Sequence, residues 1–381
     1  TSSLVGSEMC IRDRPEGIKM APLIKKIKAD PELSCVFVNT AQHREMLDQV
    51  LDLFEIQADY DLNIMRPNQA LMDTLTTMMN GLNEIVIKEK PDVILIHGDT
   101  LTTLAGALVA FFNQVKLGHV EAGLRTYDLS SPFPEEGNRQ VAGRYADLHF
   151  AATLKNLESL KNEAVLPENI FVVGNTVIDA LLEVADRPFT FEKILAAFIN
   201  KFPKFILLTT HRRENLHALK DVYRALNQVI EEHPDVGVVF PAHKNPVVRE
   251  QIKQHLKESG NILLVDPLDY ETFVHLMKKA YFILTDSGGI QEEAPALGKP
   301  VLVARENTER PEGIAAGTLK LCGTSYNTVY ADIKALLTNT KMYARMSEAK
   351  NPYGVGDTSE QIVKILKEKF IGVPSLDTIG K

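Results

Sequence analysis

Residues 92–100 read Asp92-Val93-Ile94-Leu95-Ile96-His97-Gly98-Asp99-Thr100, a short apolar run that closes on His, Gly and Asp. Four consecutive aliphatic residues bounded by turn formers predict a strand. Just before it, Leu71, Leu75, Met78, Leu82 and Ile85 fall three or four apart. That spacing predicts an amphipathic helix over 69–90, ended by its charged tail and Pro91. The same alternation runs outward in both directions. Residues 36–39, 119–121 and 148–151 read as further strands. A second series begins near Ile170, with strands at 205–209, 236–240, 262–265, 282–285 and 301–303. Alternating helices and strands build parallel sheets covered by helices. The expected fold class is therefore α/β, two Rossmann-like doubly wound domains whose strand carboxyl ends face a cleft. The expected boundaries are 1–169 for the first domain and 170–355 for the second. Residues 356–381, with a helix at 359–370, are expected to return to the first.

The length of 381 residues fits two domains of roughly 100 to 200 residues each. Its 45% hydrophobic and 24% charged residues match ordinary soluble proteins, which argues against disorder. No apolar run reaches about 18 residues, which argues against a transmembrane helix and a membrane partner. The formal net charge of -8 disfavours nucleic acid, whose binders concentrate positive charge, so a ligand phosphate would have to be met locally. Cys10, Cys35 and Cys322 are odd in number and form no CxxC, which suggests neither a disulfide framework nor a zinc site. A reducing cytoplasm fits this usage. Residues 1–13 begin without Met and hold no secretory apolar region, and they read as foreign sequence joined to a natural protein starting near Arg14. No internal repeat points to a solenoid.

Several polar clusters fall at strand ends, where loops lie and function concentrates. Asp99 either caps the next helix or faces the cleft. Glu121, in His119-Val120-Glu121-Ala122-Gly123-Leu124-Arg125-Thr126, is either paired with Arg125 or Arg139 or put to use, because a carboxylate at an apolar strand end is costly otherwise. Pro132-Phe133-Pro134-Glu135-Glu136-Gly137-Asn138-Arg139 is a loop bearing two acids, which also suit the first turn of a helix. His211-Arg212-Arg213-Glu214-Asn215 suits a diphosphate, though each arginine could instead pair with Glu231 or Glu232. In Asp286-Ser287-Gly288-Gly289-Ile290-Gln291-Glu292-Glu293, two glycines permit close backbone approach and a helix start offers N–H groups to an anion. Glu293, about one turn in, is placed to accept bonds from a ribose diol. The same segment also reads as a plain strand-to-helix turn. No G-x-G-x-x-G after a strand, no G-x-x-x-x-G-K-[ST] and no H-E-x-x-H occurs, which removes the main support for a nicotinamide enzyme, a P-loop NTPase and a zinc hydrolase. No cofactor and no metal are expected.

Taken together, these segments resemble the non-hydrolysing UDP-N-acetylglucosamine 2-epimerases over about residues 14–370. The resemblance rests on Arg14-Pro15-Glu16 with Lys19-Met20-Ala21-Pro22, Ala41-Gln42-His43-Arg44-Glu45-Met46, the His97, His119 and Pro134 segments, Gly174-Asn175-Thr176, the His211 and Asp286 segments, and Glu309-Arg310-Pro311-Glu312. It implies the glycosyltransferase-B architecture and interconversion of UDP-GlcNAc and UDP-ManNAc for cell-surface polysaccharide precursors. It further implies a cytoplasmic homodimer. The resemblance makes Asp99, Glu121 and Glu135 the acid/base candidates, with His211 supporting the leaving diphosphate. Arg14, Lys19, Ser287, Gly288 and Glu293 would hold UDP. Gln42, Gln69, Glu136, Arg212 and His243 are candidates for a second, activating UDP-GlcNAc site. One departure stands out. The family begins with an apolar strand ending in Gly-Thr, and residues 1–13 take its place, so the first strand and nucleotide loop are expected to be missing or replaced by Ile11-Arg12-Asp13. A glycosyltransferase of the same architecture, a hydrolysing epimerase and a non-catalytic nucleotide-sugar binder are the competing readings.

Overall fold

Val93, Ile94, Leu95 and Ile96 are all buried in the computed structural model, which describes residues 2–8, 15–40, 44–64, 69–210, 219–242, 246–257 and 259–372. An unalternating aliphatic run is stable only where both sheet faces are covered, each buried side chain contributing about 1.5–3 kcal/mol. The run forms β4 (Val93–His97) of a parallel sheet with β1 (Ser2–Glu8), β2 (Leu33–Asn39), β3 (Tyr60–Asp61), β5 (Lys116–Ala122), β6 (Leu148–Ala151) and β7 (Ile170–Val172). The strand order is β3-β2-β1-β4-β5-β6-β7. On one face Ile94 and Ile96 pack with Met78, Leu82 and Ile85 of the helix Leu71–Glu89 and with Ala105 and Val109 of the helix Leu101–Phe112.

The second unit carries β8 (Lys204–Thr209), β9 (Val236–Pro241), β10 (Ile262–Val265), β11 (Phe282–Thr285), β12 (Val301–Val303) and β13 (Leu319–Leu321), all parallel, in the order β10-β9-β8-β11-β12-β13. Ile206, Leu208, Phe240, Phe282 and Leu284 form its core with Tyr223 and Leu226 of the helix Leu219–Glu232 and Ile333 and Leu336 of the helix Tyr326–Thr338. Both sheets are doubly wound. In each, the strand order reverses once, between β1 and β4 and between β8 and β11. Loops leaving the carboxyl ends of those strands are where such sheets bind ligands.

Three details correct or sharpen the sequence reading. The boundary does not fall at 170, because Ile170–Val172 continues the ladder of β6 in the first sheet; the first unit comprises 1–180 and 353–381, the second 181–352. Of the two alternatives for the first strand, the structure shows replacement and not loss: Ser2–Glu8 takes the central position of the first sheet and pairs with β2 and β4. Ile11, Arg12 and Asp13 lie outside the described residues. The short strands Tyr60–Asp61 and Leu319–Leu321 carry too few residues for a periodic signal.

The last helix, Thr358–Phe370, belongs to the first unit. Asp179 Oδ1 accepts from Ser359 N at 2.7 Å, and Lys367 donates to Asp30 at 3.0 Å. Among the described residues no helix is long and apolar enough to cross a membrane.

Candidate functional site

Strand β5 ends in a distortion. Its ladder with β6 shifts register between Val120 and Ala122, and Glu121 between them has φ of 62°. A left-handed backbone at a non-glycine residue costs on the order of 1–2 kcal/mol, and such bulges re-aim a side chain. Here the re-aimed carboxylate meets two cationic or ionisable partners. Lys19 Nζ, from the helix Pro15–Ala29, donates to both Glu121 oxygens at 2.9 and 2.7 Å, and His97 Nε2 lies 3.0 Å from Oε2. Asn175 Nδ2 donates from 3.5 Å. Burial opposes ionisation of Glu121, but the charge of Lys19 and the contact with His97 outweigh it and hold the carboxyl well below the usual range. Neither Arg125 nor Arg139 pairs with Glu121: Arg125 is held by Glu163 at 2.7 Å and Arg139 by Asp99 and Glu136.

Asp99 follows β4 and is not the helix cap. Thr100 takes that role, accepting from Thr103 N in a capping box at the start of the helix Leu101–Phe112. The Asp99 carboxylate is thereby left to face Arg139, whose Nη2 donates to Oδ2 at 2.5 Å, while Asn138 Nδ2 donates to the Asp99 carbonyl at 2.9 Å. Burial pushes the Asp99 carboxyl up, Arg139 pulls it back, and nearby Glu121 raises it again. The loop bearing it is pinned from behind. His119 Nε2 contacts the Gly98 carbonyl at 2.7 Å, and burial lowers the His119 pKa to about 3, which keeps the ring neutral.

Sequence reading missed one member. Glu16 lies one turn before Lys19 on the same helix face, and its Oε2 is buried with no hydrogen-bond partner among the described residues. Burial pushes its carboxyl up to about 8; Lys19 pulls it down, while Asp99 and Glu121 add to the rise. His97, Arg139 and Asn175 were likewise legible only as parts of motifs.

Glu135 opens the helix Glu135–Tyr145 and is half-buried, three and four residues before Asn138 and Arg139. Glu136 is fully buried. It accepts from Thr126 N and Tyr127 N, both at 3.0 Å, and from Gln140 at 2.8 Å, so it anchors the 126–127 loop rather than presenting free acceptors to a second ligand. Gln69 sits half-buried two residues before the helix Leu71–Glu89. Arg14, Gln42, His211, Arg212 and His243 lie outside the described residues.

In the second unit β11 delivers Asp286 and Ser287. Ser287 precedes the six-residue helix Gly288–Glu293 without a side-chain cap bond, and its own N–H donates to Thr285 Oγ1 at 2.9 Å. Gly288 and Glu293 are both half-buried at the two ends of this helix. Glu292, by contrast, turns inward to Arg310.

Two doubly wound sheets, with ionisable groups gathered at a topological switch point, define an α/β enzyme of the glycosyltransferase-B fold class. The family model described as UDP-N-acetylglucosamine 2-epimerase matches residues 25–367. The UDP-N-acetylglucosamine 2-epimerase of Yersinia pestis is 50% identical over 361 residues, covering 93% of this chain and 96% of that protein. A crystal structure of a putative UDP-N-acetylglucosamine 2-epimerase from Listeria monocytogenes superposes with a TM-score of 0.92 at 43% identity, covering 98% of this chain and 97% of that one. The Neisseria meningitidis UDP-GlcNAc 2-epimerase bound to UDP-GlcNAc gives 0.83 at 43% identity, covering 97% and 100%. The chain belongs to the UDP-N-acetylglucosamine 2-epimerase family, a family of isomerases.

Proposed function

We propose that the chain interconverts UDP-GlcNAc and UDP-ManNAc without releasing free sugar, by eliminating and re-adding UDP. The proton on C2 has no adjacent carbonyl to acidify it, so simple removal and return is implausible. A base instead takes the C2 proton as the C1–O bond breaks, UDP leaves with that electron pair, and 2-acetamidoglucal forms. Re-addition bonds a UDP oxygen to C1 while C2 gains a proton on the opposite face.

One observation carries this reading: a single cluster holds Glu121 ionised and pushes the carboxyls of Asp99 and Glu16 upward. Environments that drive neighbouring titratable groups apart supply an acid and a base together. Asp99, Glu121 and Glu135 are the acid/base groups in this proposal, with His211 at the leaving diphosphate. Arg14, Ser287, Gly288 and Glu293 hold UDP, and Lys19 serves both Glu121 and the nucleotide's charge. Excluding water protects the glucal intermediate.

The proposal extends to a homodimer supplying polysaccharide precursors in the cytoplasm. Exposed Phe111 and Phe112, with Phe111 stacked on Tyr145 at 4.5 Å, support a subunit contact. Gln42, Gln69, Arg212 and His243 form the activating UDP-GlcNAc site, with Glu136 acting from within the fold.

Incubation with UDP-GlcNAc alone, followed by NMR of the anomeric region, tests the function. UDP-ManNAc is expected, with deuterium at C2 when the solvent is D2O. Free N-acetylmannosamine as the main product, or no conversion, overturns the proposal.

A further inference from the structure

Three carboxyl groups meet two cations around the ends of β4 and β5 and the start of the helix Pro15–Ala29. Lys19 bonds both oxygens of Glu121, and Arg139 bonds Asp99. Glu16 is the one left over. Its buried Oε2 takes no hydrogen bond among the described residues. Ionised, it would be buried beside the like charges of Asp99 and Glu121, opposed by the charge of Lys19, whose ammonium already bonds both Glu121 oxygens; as a neutral acid it avoids most of that cost.

We propose that Glu16 is the proton-holding member of the acid/base set, protonated in the resting site while Glu121 is ionised, and that it donates the proton that C2 gains on re-addition. The proposal rests on the elimination chemistry above and deepens it. In the forward direction Glu121 accepts the C2 proton as the C2–H electron pair becomes the C1–C2 double bond and UDP departs. On re-addition a UDP oxygen bonds C1, the double-bond pair takes the Glu16 proton, and Glu16 is left as carboxylate. The proton on Glu121 then returns to Glu16 by way of Lys19, which bonds Glu121 and lies one turn from Glu16. No outside acid or reductant is consumed. The carboxyl pushed up to about 8 by burial keeps its proton at neutral pH. The charged groups around it are Lys19 on its own helix, Asp99 after β4 and Glu121 on β5, with His97 and Arg139 touching the latter two.

Glu16→Gln and Glu16→Asp separate this role from a structural one. With UDP-GlcNAc labelled by 18O at the bridging anomeric oxygen, scrambling into the non-bridging phosphate positions of recovered UDP-GlcNAc reports elimination and return with the proton handed back by Glu121, while UDP-ManNAc formation reports protonation from the opposite face. Glu16→Gln is expected to lower epimerisation at least about 100-fold while scrambling continues, and Glu16→Asp to restore part of the epimerisation. Loss of both signals in equal proportion makes Glu16 structural and overturns the proposal, as does full activity. An infrared band of a protonated carboxyl, present well below pH 8, absent in Glu16→Gln and titrating away near pH 8, checks the proton independently of turnover. Its absence from the wild-type chain also overturns the proposal. If the wild-type chain forms no UDP-ManNAc, the elimination reading itself fails, whatever the infrared band shows.

Discussion

Glu121→Gln keeps the shape of the side chain and removes its charge, so turnover alone would hide what else it does. The Lys19 and Glu121 side chains are only 13% and 15% exposed, and their two contacts are 2.9 and 2.7 Å. Removing one partner of a buried pair typically costs about 3–5 kcal/mol, because the other charge stays buried. A glutamine oxygen still accepts from Lys19, so the low end, about 3 kcal/mol, applies. Lys19→Met strands the carboxylate instead and is expected to cost a similar amount, about 3 kcal/mol. The double variant leaves neither charge behind, so it is expected to fall short of the sum by about 2 kcal/mol, within the range seen for residues in contact. Urea unfolding, with amide exchange of β4 and β5 tracking the first unit, measures this cycle. The pH dependence has a definite sign. Because the folded Glu121 titrates below its ordinary value of 4.5, its stabilisation is present above that value and lost as pH falls through the folded one. Glu121→Gln is therefore expected to flatten the acid limb. Strict additivity, or a Glu121→Gln chain within about 0.5 kcal/mol of wild type, refutes the idea of an energetic unit.

Asp99→Asn and Glu135→Gln are each expected to lower turnover by at least about 100-fold in the NMR assay, and full activity in either removes that residue from the mechanism. Gly123 has φ of 90° and an added Cβ would sit 2.5 Å from the Asn156 carbonyl oxygen, so Gly123→Ala is expected to cost about 2–5 kcal/mol from strain and overlap, read from a thermal melt. Glu16 titrates at about 8 instead of 4.5 when folded, so wild-type stability is expected to fall as pH rises through that window, and Glu16→Gln to lose the slope. Parallel stability curves for the two chains in urea would show that Glu16 is not a buried acid.

Residues 93–96 and 205–208 were legible because unbroken apolar runs leave little choice but a covered parallel strand. Ser2–Glu8, Tyr60–Asp61, Ile170–Val172 and Leu319–Leu321 gave no such signal: they are short or polar, and their state is set by the strand they pair with. The site divides in the same way. Asp99 and Glu121 stood out as carboxylates at strand ends, a property local to the sequence. What each one touches is not local. Arg125 and Arg139 were the nearby candidates for Glu121, yet its partner Lys19 lies 102 positions away, brought there by the helix that follows β1. Asp99 looked able to cap its helix until Thr100, one residue on, took the hydrogen bond. Glu16 is the extreme case. Its chemistry depends on burial that outweighs the pull of Lys19, one turn away, whose ammonium bonds both oxygens of Glu121. A short-range pattern of Glu and Lys on one helix face reads as an ordinary ion pair. Only the fold, by bringing a second carboxylate to the same lysine, turns that pattern into an acid beside a base.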